Sequence, residues 1–391
     1  MNDIVIVGGG AAGMMAAIFA AERLGNGSRV TLLEKNDRLG RKIYLTGKGR
    51  CNITNMRPWN EFSRHIHPDA KFFKHAFRTF SNSDAAGFFE SIGVPVTEEQ
   101  GRRLFPVSMK ASDVAQALER KVMDSGVKIL SNTVWNPSLS YGALVIATGG
   151  KSYPLTGSTG DGYEIARSLG HTVTRIFPSL TALLPRDYNY YGTIELKNVA
   201  LALYVDKDLV QREEGEMSFT DDGIEGALGF RVSRRAVWAL ENGQKVTVAL
   251  DLKPALTQEQ LSARILREIE ACGGKLSVAA LLRKLLPSDL IPAFMDSHRG
   301  ISADGLPAAL KEWRFQIVSC KGYERAVVTA GGVSQKEINP KTMESLVHPG
   351  LFFAGEVLDI DGDTGGYNLQ IAFSTGALAG ISAADYLLSR E

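Results

Sequence analysis

The hexapeptide Gly8-Gly9-Gly10-Ala11-Ala12-Gly13 carries the clearest chemistry in this chain, because a glycine turn feeding a helix presents backbone amides to phosphate oxygens. Gly8 permits a tight turn, Gly10 lets the backbone approach a pyrophosphate, and Gly13 lets helix and strand pack closely. Glu34 follows about 20 residues later, where a strand-end acid accepts hydrogen bonds from a ribose 2′-hydroxyl. An acid there disfavours a 2′-phosphate, so NADP is not the expected occupant. A second loaded stretch spans Arg38 to Asn55, polar, rich in Gly, Thr and Asn, with Arg38, Arg41, Lys42, Lys48 and Arg50 as its basic groups. Its place directly after a strand suits it to wrap a phosphate or a ring; the plainer alternative is a solvated basic loop. Thr148-Gly149-Gly150 and the loop from Thr156 to Gly162 add small residues, with Asp161 serving either as a helix cap or as a cofactor contact.

These groups need a scaffold, and the chain supplies one. Ile4 to Val7 is a β-branched strand, Met14 to Leu24 an alanine-rich helix, and Arg29 to Leu33 a second strand. Leu144 to Ala147 is uniformly apolar, as in a parallel strand buried on both faces. Residues 58–125 read as mainly helical. Strands follow at 172–176, 193–206 and 245–252, which suggests an antiparallel sheet or small barrel. Thr257-Gln258-Glu259-Gln260 forms a capping box that opens helical periodicity from Leu261 to about Phe315. The chain then returns to its opening style, with a strand at Leu351 to Ala354, Gly355-Glu356, and a final helix from Leu369 to about Leu388. That helix is rich in Ala, Gly and Ser, so it can lie tight against a neighbour. The expected fold is α/β: a Rossmann-like domain with a parallel sheet, plus an inserted antiparallel β domain and a helical domain. The expected boundaries are 1–188, 189–253, 254–318 and 319–391.

A net charge of +1 argues against nucleic-acid or anionic-membrane surfaces. Cys51, Cys272 and Cys320 are far apart and form no CxxC, so neither a zinc site nor a disulfide framework is expected. That usage fits a reducing compartment, and no run approaches the roughly 18 apolar residues of a membrane span, so a cytoplasmic location is expected. His65, His67 and His75 lie close in sequence, but no acid or cysteine joins them at ligand spacing, so no metal is expected. His171 and His348 read as structural.

Several segments resemble one family closely. Gly8 to Gly13, Gly40-Arg41-Lys42, Thr46-Gly47-Lys48-Gly49-Arg50-Cys51-Asn52, Thr329-Ala330-Gly331-Gly332-Val333, Phe353 to Asp359 and Gly365-Gly366-Tyr367-Asn368-Leu369-Gln370 look like the BaiN/YhiN-like family of FAD flavoproteins. The resemblance spans the chain end to end, while the middle carries little signature. Thr159-Gly160-Asp161-Gly162 also resembles a loop of the fumarate-reductase flavoproteins, more distantly. The resemblance implies FAD, with residues 1–188 and 319–391 as the two parts of its domain. It makes Gly8, Gly10, Ala12 and Gly13 the pyrophosphate turn, and Glu34 and Lys35 the adenosine-ribose end. Arg41, Lys42, Thr46, Gly47, Arg50, Cys51 and Asn52 would line the cofactor's other side. Val134 would meet the adenine through its backbone, and Thr148 and Gly149 the phosphates or ribityl chain. Gly355, Glu356, Asn368 and Leu369 would approach the ribityl chain and ring. Cys51 is read as a small residue packed beside the cofactor.

The family includes proteins described as aminoacetone oxidases and others described as reductases of bile-acid enones. The main expectation is therefore an oxidase of a small amine such as aminoacetone, with dioxygen as acceptor and hydrogen peroxide as product. The alternative is an NAD(P)H-dependent flavin reductase of an enone. No second GxGxxG lies within residues 150–330, so any nicotinamide must bind without a module of its own. An RNA-modifying flavoprotein is disfavoured by the neutral charge. No residue stands out as the catalytic acid or base.

Overall fold

The computed structural model describes residues 3–188 and 192–391. Contacts divide the chain into two compact units, Met1–Pro178 with Val327–Glu391, and Ser179–Ala326. The first unit is built on a five-stranded parallel sheet. Strand β1 (Ile4–Val7) lies at its centre, between Ala143–Ile146 and β2 (Val30–Leu33); Leu351–Phe353 and Lys128–Leu130 form the edges. Every residue of β1 and of Ala143–Ile146 is buried, which accounts for their unbroken apolar runs. Helix α1 (Ala11–Leu24) leaves the glycine turn and ends at Gly25, whose φ of +64° closes the helix in a left-handed cap.

The C-terminal helix, Tyr367–Leu388, packs along α1. Its small residues make this possible: a Cβ on Gly376 would stand 2.3 Å from the Ala12 carbonyl oxygen, and one on Gly380 2.2 Å from that of Ala16. By length and composition this helix could also cross a membrane, contrary to the expectation that no run comes near that size. Here its apolar faces are spent on the core, with Phe373, Ala377, Ala383 and Ala384 fully buried.

The segment 58–125 is less helical than its periodicity suggested. It contains Ala70–Thr79, Asn82–Ser91 and Ala111–Asp124, but also Val96–Glu99 and Arg103–Pro106, which form a small antiparallel sheet with Thr54–Asn55 just before it. Only an isolated bridge at Val173 stands where a strand at 172–176 was expected.

The second unit contains a closed antiparallel barrel, in the order Leu183–Pro185, Gly223–Glu225, Asp208–Thr220, Ile194–Val205, Val246–Asp251 and Trp313–Cys320. Trp313–Cys320 closes the barrel although helices precede it in sequence, so the β and helical segments form one insert and not two. The expected boundary at 188/189 touches residues outside the described ones. The change of unit instead falls at Pro178/Ser179 and Ala326/Val327. Helices Gln258–Ala271, Val278–Leu285 and Ile291–Ser297 complete this unit, the first opening on the Thr257–Gln260 capping box.

Candidate functional site

A cavity of about 300 Å³ opens in the first unit at the carboxyl ends of the parallel strands. Its wall includes Gly8, Gly10 and Ala12 from the turn, Glu34 and Lys35 from the end of β2, and Arg41, Lys42 and Thr46 from the basic loop. Val134, Thr148 and Gly149 join them, as do Glu356, Asn368 and Leu369 from the C-terminal segment. These residues come from six stretches of chain, brought to one surface by the sheet topology.

Glu34 is buried and already organised. Its Oε2 accepts from the Gly9 amide at 2.9 Å, and its Oε1 accepts from the Asn36 amide at 2.8 Å and Asn36 Nδ2 at 2.6 Å. Arg41 Nη1 donates to Asn36 Oδ1 at 2.8 Å and holds that side chain in place. A carboxylate oxygen accepts more than one hydrogen bond, so Glu34 retains capacity for a ribose hydroxyl. Lys35 turns elsewhere: its Nζ meets Asp161 Oδ2 at 2.5 Å and Thr159 Oγ1 at 2.6 Å. Asp161 is therefore neither a side-chain cap nor free, since its helix is capped by Gly160 without a side-chain bond. Burial pushes the Asp161 carboxyl up, but hydrogen bonds from Lys35 and Thr159 and the lysine charge hold it below its usual range overall.

A second polar knot sits at the other group of wall residues. Lys42 Nζ donates to Glu356 Oε2 at 2.7 Å and to Ser152 Oγ at 2.6 Å. Glu356 Oε1 in turn accepts from Ser152 Oγ and from the Thr329 amide, both at 2.7 Å. Ser152 and Thr329 carried no functional reading in the sequence, and their role emerges only from this shared carboxylate.

Six expected cofactor residues lie off the cavity wall, each for a steric or packing reason. Gly13 is the tight contact of α1 on the turn, where a Cβ would stand 1.8 Å from the Gly8 carbonyl oxygen. Gly355 gives its amide to Thr375 Oγ1 at 2.9 Å, and a Cβ there would stand 2.7 Å from that of Ala12. Gly47, with φ +57°, turns the basic loop. Arg50 stacks over Phe105 and faces Glu99 at 3.6 Å. Cys51 is fully buried, and burial pushes its thiol up to about 12 against the opposing Thr46 hydrogen bond, so it is not a poised nucleophile. Asn52 bridges the Thr54 carbonyl and the Gly366 amide, both at 3.1 Å, and so ties the basic loop to the start of the C-terminal helix.

The wall also includes Ser158, from the glycine loop expected either to cap a helix or to contact the cofactor, and Asn36, Trp135 and Ile360, which sequence reasoning missed. Asn36 alone carried a signal, as a polar residue two places beyond the strand-end acid. His171 is buried between Ser345 Oγ at 2.8 Å and Glu337, and burial lowers its pKa, in keeping with a structural role.

The cavity suits a dinucleotide with two electron-rich regions. Helix α1 starts at Gly10 with no side-chain cap and no acid in its first turn, and Gly10, Ala11 and Ala12 face the cavity. No atom lies within 4 Å of where a Cβ on Gly10 would stand, which leaves a cradle open to a phosphate. The C-terminal helix likewise starts uncapped at Gly366, with Asn368 and Leu369 on the wall. Trp135 Nε1 is a buried donor without a partner among the described residues. Two uncapped helix N-termini on one cavity favour negative charge at two places, which is what FAD brings with its pyrophosphate and its reduced ring.

A parallel-sheet βαβ site closed by a C-terminal helix defines a dinucleotide-binding flavoprotein fold. The chain belongs to the HI0933-like family, whose Rossmann-domain model matches residues 2–382 and whose members are FAD-binding flavoproteins; it is an FAD-dependent oxidoreductase of that family. It is 32% identical, over 98% of this chain and all of the relative, to a 3-dehydro-bile acid delta(4,6)-reductase of Clostridium scindens. It is 30% identical, over 95% of this chain and 96% of the relative, to a ribosomal RNA dihydrouridine synthase of Escherichia coli. In fold it is similar to the E. coli quinol fumarate reductase FrdA, with a TM-score of 0.50 at 14% identity, covering 100% of this chain and 71% of that one.

Proposed function

We propose that this protein reduces a carbon–carbon double bond conjugated to a carbonyl, in a small enone of the bile-acid kind, with electrons from NAD(P)H. The observation that carries this reading is the end-to-end similarity to a reductase of that chemistry, on a chain whose cavity suits FAD. The second relative fits the same reaction type, since making dihydrouridine from uridine saturates a C=C bond conjugated to a ring carbonyl. Aminoacetone oxidation, the main expectation from the sequence, gains no support from either relative, and the reductase alternative replaces it.

FAD, when bound, supplies a hydride at N5. The chain's residues would hold it: the α1 amides the pyrophosphate, Glu34 the ribose, and Asn368 with Leu369 the ring end. The Lys42–Glu356 pair, linked to Ser152 and Thr329, keeps a rigid polar wall along the same cavity. The insert carries no second nucleotide fingerprint, so NAD(P)H would have to bind without a module of its own.

Anaerobic mixing tests the reading. NAD(P)H should bleach the flavin, and a 3-oxo-4-ene bile acid should restore its colour with formation of the saturated ketone. Bleaching by aminoacetone alone, with peroxide on admitting air and no reoxidation by the enone, would return the protein to the amine oxidases.

A further inference from the structure

Reduction of an enone needs a proton as well as a hydride. The histidines singled out in the sequence supply a candidate once the chain is folded. Asp363 Oδ2 lies 2.8 Å from His65 Nδ1, and Asp363 Oδ1 lies 3.2 Å from His67 Nε2. The backbone builds this arrangement: Asp361–Gly362 runs antiparallel to Ile66–His67, and the Asp363 amide donates to the His65 carbonyl at 2.9 Å. The His65 ring also stacks on Tyr367, with centroids 4.5 Å apart, so its plane is held as well as its Nδ1.

The group does not itself line the cavity, but residues that hold its loop do. Ile360 and Asn368, the residues that flank this strand and loop, both stand on the cavity wall. Asn368 clamps the loop, accepting from the Gly362 amide at 2.8 Å and donating to the Gly362 carbonyl at 2.7 Å and the Asp363 carbonyl at 3.3 Å. The His65 and His67 side chains keep 26% and 29% of their surface exposed. Burial pushes the Asp363 carboxyl up, yet hydrogen bonds from the two imidazoles and their charge hold it down at about 2. It is a carboxylate whenever the protein is folded near neutral pH.

We infer that His65 is the proton donor of the reduction, held by Asp363, with His67 steadying the second carboxylate oxygen. With Nδ1 committed to Asp363, the Nε2 edge of His65 is left to face the substrate, the division of labour that a carboxylate imposes on a catalytic imidazole. In the step, a hydride equivalent from the reduced cofactor forms the C–H bond at the β-carbon. The Nε2–H bond of His65 breaks as the C–H bond at the α-carbon forms, the ring keeps the electron pair, and water later returns the proton. The consumed reductant is NAD(P)H, and the product is the saturated ketone. His65 is the catalytic residue in this scheme; Asp363 and His67 are positioning residues.

The inference rests on the enone-reductase reading, and one experiment separates the two. The holoprotein is reduced anaerobically with dithionite and mixed either with a 3-oxo-4-ene bile acid or with dioxygen. His65→Gln should slow reoxidation by the enone about 10²- to 10³-fold, while reoxidation by dioxygen, the flavin spectrum and the KM for the enone stay near wild type. Asp363→Asn should slow the same step less, and the double variant should be no slower than His65→Gln, as for residues acting as one unit. In the wild-type holoprotein the saturated ketone should also shift the His65 ring signals in NMR. Enone reoxidation of His65→Gln at the wild-type rate would overturn the inference, as would equal loss of enone and dioxygen reoxidation or silent His65 signals. If His65→Gln loses its flavin, His65→Asn and Asp363→Asn are held to the same comparison. A wild-type protein that no enone reoxidises would overturn the parent reading, and the inference with it.

Discussion

Glu34 shows how much one carboxylate does here. Its two oxygens satisfy the Gly9 amide and both donors of Asn36, so it holds the phosphate turn and the ribose end in one network. Glu34→Ala leaves the Gly9 and Asn36 backbone amides without their acceptor at a site only 7% exposed. The expected result is a loss of about 1–3 kcal/mol of stability, together with weaker FAD retention, by about tenfold or more. Denaturant midpoints of the apoprotein and flavin release on dilution measure the two effects separately. Unchanged flavin release would remove the ribose role and leave only the structural one. Cys51 makes the converse point: its place in a striking motif reflects burial and packing, with a thiol pushed up to about 12.

At the scale of elements, the pairing of α1 with the C-terminal helix sets the cavity's shape. Gly376 and Gly380 allow the helices to touch through backbone, so added methyl groups there must force them apart. Gly380→Ala should cost about 1–3 kcal/mol and loosen flavin binding, because the helix start carries Asn368 and Leu369 to the cavity. Gly87→Ala is the contrasting case. Gly87 lies inside Asn82–Ser91 with no atom within 4 Å of the added Cβ, so this change should stabilise by about 0.5–1 kcal/mol. Thermal melts of both variants, scored with flavin fluorescence, check the opposite signs.

At the scale of the whole molecule, charge bears on the choice between the two substrate classes that the relatives act on. The chain carries a net charge of +1, and its insert mixes acidic and basic side chains in nearly equal number. Arg231 is engaged by Glu213, Lys284 by Glu268, and Lys311 by Asp251. Paired cations of this kind offer little to a phosphate backbone, whose binding scales with the charges neutralised. A ribosomal RNA fragment should therefore give no gel shift at physiological salt with protein near ~1 µM, below the usual range of non-specific binding. A salt-sensitive shift at that concentration would move the substrate from a small enone to uridine in RNA.

Sequence alone determined the dinucleotide frame. Gly8 to Gly13, the apolar strands and Glu34 obey local rules of turn, period and spacing, so their positions and partners follow from short stretches of chain. The small-residue character of the last helix was legible for the same reason, as a local composition with one packing consequence. Helices and strands in 58–125 were harder, because short strands such as Arg103–Pro106 take their identity from partners outside their own stretch, here Thr54–Asn55 and Val96–Glu99. The closing barrel strand Trp313–Cys320 was hidden behind helices for that reason too. Only the tertiary structure decided that Lys35 turns to Asp161, that Ser152 and Thr329 share Glu356, and that Asp363 gathers His65 and His67. Lys35 and Asp161, Ser152 and Glu356, and Asp363 and its two histidines each lie more than 100 positions apart, and no local periodicity encodes a hydrogen bond made across the whole fold.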